Sequence, residues 1–575
     1  MNDGYTRALL RLSVFSLSLS IFSPASAQDL PQPWQSITDE RLAVPEPGDW
    51  VNYRRTHDVA GFSPLVEINR DNVDELRMVW SWAVEDGNRW VPTPIVANGL
   101  MYVSEGMGRV TAFNAATGDI VWQHTRRYPQ DIGVSQAYNK HRGVSIYGDN
   151  IYWGTADSYL VALDARTGEQ VWEVQTADYT VDGGHSHPPL IVDGKVLLGR
   201  TGGDLGTQGF FLALDADSGE ELWRFNTVPV NEGDPAWNTW SRSDSPPLGG
   251  TPWNTASYDA ELGLVYFGTG QPYPWSALLR GPGDALYTNS ILAVDINTGE
   301  RRWHYQVMPN DSWDRAAFES LLVDVEIDGQ MRKALIQTSK IGWGVMLDRE
   351  TGEFLHAFET AYDNLVTGFE SNGRPILNPE LVPTPADMDS GKVFEVCPFY
   401  HGGRDLNTAS WDAATGTYYI GMNNSCMDVS FFSQDYDRGT FYTGMSGRAK
   451  PAPGYDHVGE FVAFDPVTGE KLWTYQDDKG SAMTASALAT AGGVVFGGTA
   501  EREFFALNSE TGERLWRARL NGDISGAPIS FEVDGKQYIA VGAGGRIAQA
   551  FTYRRLSDTE LSPGGGVMWV FALPD

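Results

Sequence analysis

The chain is 575 residues long, with 74 acidic against 42 basic side chains and a formal net charge of −32. That balance disfavours nucleic acid as a partner, since its phosphates would be repelled, and it favours solubility and basic partners. Two cysteines exclude a covalently attached c-type haem, which needs Cys-x-x-Cys-His, while 63 glycines and 20 tryptophans among many short apolar runs point to one large closed β-fold.

At the start of the chain, Arg7 and Arg11 precede the apolar stretch LSVFSLSLSIF, and Ala25-Ser26-Ala27 follows as a small-residue cleavage site. Residues 1–27 read as a secretory signal cut after Ala27, which leaves 28–575 as a single domain exported to the periplasm. The apolar run is too short and too interrupted by Ser to span a bilayer, and no later run is long enough to do so. In an oxidising compartment Cys397 and Cys426 are free to pair, with two buried thiols as the alternative.

A repeat organises the remainder. An apolar residue, Asp or Asn, two residues and Thr/Ser-Gly recur, usually with Trp four residues after the Gly. The copies are FNAATGDIVW (113–122), LDARTGEQVW (163–172), LDADSGEELW (214–223), VDINTGERRW (294–303), LDRETGEFLH (347–356), FDPVTGEKLW (464–473) and LNSETGERLW (507–516). Six end in Trp and the fifth in His356. Each copy predicts a strand, a turn in which Asp and Thr bond local backbone and Gly takes positive φ, and a returning strand. A spacing of about 40–50 residues with four short strands per unit predicts propeller blades.

The long gap from Asp215 to Asp295 holds an insertion. The longer one from Asp348 to Asp465 has room for an extra blade, where SWDAATGTYY (410–419) resembles a degenerate copy. The strand around Leu76–Trp82 opens the set and Met568–Leu573 returns beside it, which removes free edges and brings the count to about eight. The expectation is an all-β, eight-bladed propeller whose recurring tryptophans dock blade against blade rather than act chemically.

With those residues in view, Asp-x-x-Thr-Gly-x-x-x-Trp resembles the docking motif of the alcohol dehydrogenases that depend on pyrroloquinoline quinone (PQQ), a family of eight-bladed propellers. The likeness covers nearly all of 40–575 and includes GTPWNTASYDAELGLVYFGTGQPYPW (250–275), YTNSILAVDINTGERRWHYQVMPNDSWD (287–314), ATAGGVVFGGT (489–499), VDGKQYIAVGAGG (533–545) and VFALP (570–574).

The resemblance implies PQQ on the propeller axis above an indole, supplied here by Trp253 in Thr251-Pro252-Trp253, where a flat π-face meets a planar quinone. It implies that Arg142 grips a cofactor carboxylate and that Lys340 stands at the quinone oxygens, where a cation stabilises growing charge. Ser186 and Thr201-Gly202-Gly203 match further cofactor positions. Asp405 stands where many members have Asn, and a carboxylate there repels an electron-rich ring unless it is protonated or paired. Asp314 matches the base that takes the hydroxyl proton during hydride transfer.

For the metal, the family's Glu and Asn correspond to Asp204 and Gln271, with Asp314 beside them. One residue is a methylene shorter and the other a methylene longer, and both keep the hard oxygen donors that calcium prefers. Lanthanide-using relatives add an Asp two residues after the base; Ala316 stands here, which favours a divalent ion. The Cys397/Cys426 pair matches a family disulfide in context and spacing.

Departures from the family bear on substrate. Methanol-type members carry adjacent cysteines where Gln136 and Ala137 stand, a family glutamate aligns with about Val91, and Leu406 and Thr484 or Ala485 replace two narrowing aromatics. The expectation is a larger cavity taking a secondary alcohol, polyol, sugar or other bulky hydroxyl compound, as in sorbose- and sorbosone-oxidising relatives. With no haem of its own, the chain is expected to pass electrons to an external carrier such as a basic cytochrome c. Its oligomeric state, a homodimer included, is left open. The competing readings are a non-catalytic propeller acting as scaffold or binding module, and a pseudoenzyme degraded at Asp204, Gln271 and Asp405. No G-x-G-x-x-G precedes a helix, which disfavours nicotinamide, and His185 and His187 lack zinc-ligand spacing.

Overall fold

The computed structural model describes residues 30, 33–85, 90–132, 142–241, 245–545, 547–557 and 565–575. The signal segment and the Gln136/Ala137 positions therefore lie outside the described residues. Among the described residues eight antiparallel sheets of four strands, one of them joined by a short parallel strand, account for most of the chain. They occupy 95–125, 145–175, 190–226, 257–306, 321–359, 410–475 and 488–519. The eighth combines 529–543 and 567–572 with the early strand 77–83.

Each blade runs from a buried hub to an exposed rim. First strands of adjacent blades lie against each other, as Leu190–Val192 does beside Ser145–Tyr147. They are mostly buried, Leu190–Val192 entirely so, whereas a fourth strand such as Gln170–Gln175 is open to solvent. The ring closes where Val567–Ala572 pairs with Arg77–Ala83, as the two termini predict.

The repeat behaves as its residues require. Asp164 Oδ1 accepts the N–H groups of Arg166 and Thr167, Asp295 does the same for Asn297 and Thr298, and Gly168 takes φ +73°. The tryptophan of one blade then covers the turn glycine of the next. A Cβ at Gly168 would come within 2.5 Å of the Trp122 ring, and Trp122 Nε1 donates to Ala165 O at 2.9 Å. Trp223, Trp303 and Trp473 dock alike on Ile296, Arg349 and Ser509. Trp80, outside the sequence repeat, closes the circle on Ala115 and Gly118.

The count of eight stands, but one expected contribution to it does not. The Asp348–Asp465 gap contains no extra blade. It holds a two-stranded hairpin (Val366–Phe369 with Pro375–Leu377) and a three-stranded sheet (Phe394–Val396, Ser425–Phe431, Met445–Pro451). SWDAATGTYY is the turn between the first and second strands of the sixth blade, since Ser410–Asp412 pairs with Thr417–Asn423. Its likeness to the repeat reflects shared turn chemistry, in which Asp412 Oδ1 accepts Ala414 N–H. The eighth blade is the closing one, which carries no motif. Cys397 and Cys426 form a disulfide.

Because the strands alternate, turns joining first to second and third to fourth strands open on one face. Connections between second and third strands, and between blades, open on the other. An N-terminal strap closes the first face. Ile37 bridges Gly148, Gly48 O accepts Glu532 N–H, and Trp50 exchanges two hydrogen bonds with Val96. His57 bonds Ile191 and Tyr258, Asp58 bonds Leu322, Ala60 bonds Trp411, and Phe62–Ser63 pairs with Ala489–Thr490. Residues 37–63 thus bond all eight blades, mostly at the hub edge of the first strand, which would otherwise present unpaired backbone.

Candidate active site

On the other face, inter-blade and second-to-third-strand connections converge on a cavity of about 510 Å³ at the hub. Thr201, Gly202, Gly203 and Asp204 come from the third blade, where Gly202 at φ +91° starts the short turn Gly203–Leu205 that presents Asp204. The fourth blade supplies Thr251 and Trp253 before its first strand and Gln271 after its second. These two segments are bonded to each other through Gly250 N–H to Gln271 O and Gly270 N–H to Thr251 O.

Asp314 reaches the cavity from the loop before the fifth blade and Lys340 from that blade's second connection. Asp314 sits at φ +61°, a strained position for a side-chain-bearing residue. The neighbouring carboxylate holds it there: Asp311 accepts the N–H groups of Trp313 and Arg315, each at 2.8 Å. Arg315 ties this loop to Pro398 O and Phe399 O, next to Tyr400 and His401 in the cavity wall. Gly402, at φ +76°, lets that wall lie on Lys340, whose Cα is 2.3 Å from where a Cβ would stand.

Trp253, Lys340, Asp204 and Asp314 therefore surround one hollow, as the sequence predicts. Trp253 is half-buried, with Phe318 edge-on beneath it at 5.3 Å and the Arg142 guanidinium 4.6 Å from its ring. Arg142 also donates to Trp253 O and Asn254 Oδ1 and keeps a buried Nε without a partner. Lys340 Nζ lies 2.6 Å from Asp314 Oδ2, and Asp314 Oδ1 is buried and unpartnered.

Burial pushes the Asp314 carboxyl up, and the charge of Asp204 pushes the same way against the Lys340 ammonium. Burial alone would lower Lys340, but Asp314, Asp405 and Asp204 together hold it above its ordinary value, so the ammonium persists. Asp405 Oδ2 lies 3.3 Å from His401 Nδ1, a contact that is an ion pair only when the imidazole is protonated.

Some expectations move. Ser186 is buried but does not line the cavity. It lies one layer back, in the loop whose Gly184 O accepts Thr201 N–H. The Gln271 amide is turned with its N–H toward Asp204, so offering its carbonyl to an ion would take a half-turn of the amide. Val91 and Leu406 line the cavity, but Thr484 and Ala485 do not; both give their N–H groups to Gly498 O inside the seventh blade. Trp275, Tyr400 and Phe441 line it instead, and sequence reasoning missed all three. Their only sequence signal is aromatic density in the long insertions. His185 is structural, bonded to Gly199 O and Thr176 Oγ1. Among the described residues no group of three or more His, Cys, Asp and Glu is arranged to hold a metal.

A closed ring of eight sheets with a buried, charge-lined pocket at its hub defines a β-propeller with a hub site. The sequence profile of the PQQ-linked glucose/ethanol/alcohol dehydrogenase β-propeller domain matches residues 50–362 and 476–539, and the chain belongs to this family of enzymes acting on alcohols. It is 33% identical to the quinoprotein alcohol dehydrogenase PedH of Pseudomonas putida, over 89% of each chain. It is also 33% identical to a quinoprotein ethanol dehydrogenase of Pseudomonas aeruginosa, over 99% of this chain and 97% of that one. Its structure resembles a europium-containing methanol dehydrogenase with a TM-score of 0.85 at 29% identity, covering 93% of this chain and all of that one. The quinohemoprotein alcohol dehydrogenase of Comamonas testosteroni gives 0.84, also at 29%, over 96% and 84%. No described helix is long and apolar enough to cross a membrane.

Proposed function

We propose that this protein oxidises an alcohol larger than methanol with PQQ and a divalent hard cation, with Asp314 as the base. The observation that carries the reading is the buried Asp314–Lys340 pair in a cavity floored by Trp253. The pocket suits a planar, polyanionic ring: an indole face, the orphaned Arg142 Nε, the Lys340 ammonium and the Gly202–Gly203 backbone all line or edge it. The quinone, when bound, supplies the hydride acceptor. Asp314 Oδ1, without a partner of its own, would accept the hydroxyl proton of the alcohol. Lys340 holds the opposite carboxylate oxygen and faces the growing negative charge.

Asp204, Asp314 and the Gln271 carbonyl would hold the ion. Two carboxylates and an amide suit calcium, and Ala316 is a fully buried apolar residue where a further carboxylate would favour a trivalent ion. The shortened Asp204 and lengthened Gln271 compensate each other, so Gln271→Asn alone should weaken calcium binding. A basic periplasmic carrier of the cytochrome c kind takes the electrons, drawn to the acidic surface.

The test is reconstitution of the purified protein with PQQ and calcium. Quinone absorbance and dye reduction with alcohols are expected; a scaffold or pseudoenzyme would show neither. Restoration by lanthanum but not calcium would remove the ion assignment, and a clear preference for methanol would remove the size assignment.

A further inference from the structure

Beneath the cavity floor lies a set of buried charges that the proposed reaction does not use. Phe318 is fully buried and edge-on to Trp253, and the Arg404 guanidinium lies 4.7 Å from its ring centre. Three bonds fix that guanidinium. Nε donates to Thr338 O at 3.0 Å, and Nη1 donates to Asn407 O and to Glu319 Oε1, the latter at 2.7 Å. From the strap 37–63, Arg54 gives Nη2 to Ala409 O and Ala487 O. Arg54 Nε, Arg54 Nη1 and Arg404 Nη2 are buried without hydrogen-bond partners. Tyr53 stands among these groups: burial pushes its phenol up and Glu319 adds to that, while Arg142, Arg54 and Arg404 all oppose it.

Two arginines and one carboxylate, all buried, leave an excess of positive charge below the indole. Such an excess is costly where water does not screen it. Burial is the largest influence on both guanidiniums and lowers both. Glu319 overcomes it at Arg404, which stays above its ordinary value, but not at Arg54, which Arg404 lowers further. The charge that can relieve the remainder is that of a ligand in the cavity above, where Arg142 stands against the Trp253 ring with a buried Nε of its own unpartnered.

We propose that Arg404, set through Phe318 beneath Trp253, and its partner Glu319 are positioning residues of the cofactor site: the excess positive charge of the hub draws a polyanionic planar ring onto the indole, and Glu319 sets how much of that charge the ring meets. The inference rests on the PQQ reading above and extends the cofactor site to residues that do not line the cavity. Glu319 thereby works against cofactor affinity while it stabilises the empty protein, so its loss moves the two properties in opposite directions. A residue that only shapes the hub would move them together.

The protein, freed of cofactor, is titrated with PQQ in the presence of calcium, with uptake read from quinone absorbance, and its unfolding midpoint is measured separately without PQQ. Glu319→Gln keeps an oxygen for Arg404 and removes the charge; the Kd for PQQ should fall about tenfold while the midpoint drops. Glu319→Asp keeps the charge and changes the shape, and its Kd should stay within about twofold of the wild type. Arg404→Met should raise the Kd about tenfold; if that variant does not fold, the two Glu319 substitutions decide alone. In Glu319→Gln, a Kd that is unchanged or raised, or a midpoint that holds, overturns the inference, and so does an equal shift in Glu319→Asp. If the wild type takes up no PQQ, the dehydrogenase reading falls and the inference falls with it, whereas uptake by the wild type with no difference among the variants removes the inference alone.

Discussion

The two faces of the propeller are finished by different means. On the turn face, the strap 37–63 closes the hub with backbone hydrogen bonds to first strands, and the charge it buries, Arg54, is spent on the carbonyls of Ala409 and Ala487. On the site face, Asp204, Asp314 and Asp405 are gathered around Lys340, with a buried carboxylate oxygen left without a partner and a non-glycine residue at positive φ. Both faces keep buried polar atoms without partners, Arg54 Nε and Nη1 on the turn face and Asp314 Oδ1 on the site face, and the site face differs in gathering its charges around one hub cavity where a ligand can use them. The sharpest way to break this contrast is to disarm each face and ask which property fails.

Asp314→Asn carries the largest expected effect. The shape of the loop is kept by Asp311, which makes its two backbone bonds without help from Asp314. Losing a positioned base should lower kcat by about 10²- to 10⁴-fold in the loaded protein. The unfolding midpoint should move less than activity does, because Asn keeps an oxygen for Lys340 Nζ and Asp405 and Asp204 still oppose the Lys340 charge. An unfolding midpoint that collapses along with activity would show that the two faces are not separable.

Arg54→Ala is the counterpart on the turn face. It leaves Ala409 O and Ala487 O without this donor and opens a void at the hub, at a cost of about 2–4 kcal/mol. Burial already pushes this guanidinium down to about 10. Unfolding curves should shift to lower denaturant while the KM for alcohol is nearly unchanged. A loss of turnover without a loss of stability would reverse the assignment of the two faces.

These contrasts also explain which features the sequence made legible. Turn chemistry is local, so Asp164, Thr167 and Gly168 declare a hairpin wherever they occur, and the resulting ring could be counted. The same locality misled at 410–419, where an Asp-to-Gly turn joins first and second strands rather than third and fourth. The strap was illegible because its contacts join residues far apart in the chain, such as Ala60 with Trp411, and most are made by backbone atoms that leave no side-chain signature. Trp253, Lys340 and Asp314 were legible because their motifs are short and stand beside strands. The wall formed by Trp275, Tyr400 and Phe441 depends on how insertions fold back over the hub, which no short motif records.

Lys340→Met tests the electrostatics of the site face at smaller cost. Removing the cation that opposes burial and Asp204 must raise the Asp314 carboxyl further, so its proton is lost only at higher pH. The acid limb of kcat/KM should therefore move to higher pH. A limb that stays in place or moves to lower pH would mean that Lys340 does not govern this group.

The smallest expected effect lies between the faces, in the docking layer that both share. Trp122 Nε1 and Tyr102 Oη donate to the same carbonyl, Ala165 O, at 2.9 and 3.0 Å. The pairing recurs at Arg349 O with Trp303 and Tyr266, and at Ser509 O with Trp473 and Tyr419. The second-strand tyrosine is thus part of the repeat, although it stands too far from the turn for the motif to include it. Because the tyrosine still serves the carbonyl, Trp122→Phe leaves no buried acceptor orphaned. It should cost only about 1 kcal/mol, most of it lost packing over Gly168. Tyr102→Phe should cost about as little alone, and the double substitution should cost more than the sum, because only then is Ala165 O stripped of both donors. Additivity in that cycle, read from unfolding midpoints, would show that the shared carbonyl is not what couples neighbouring blades.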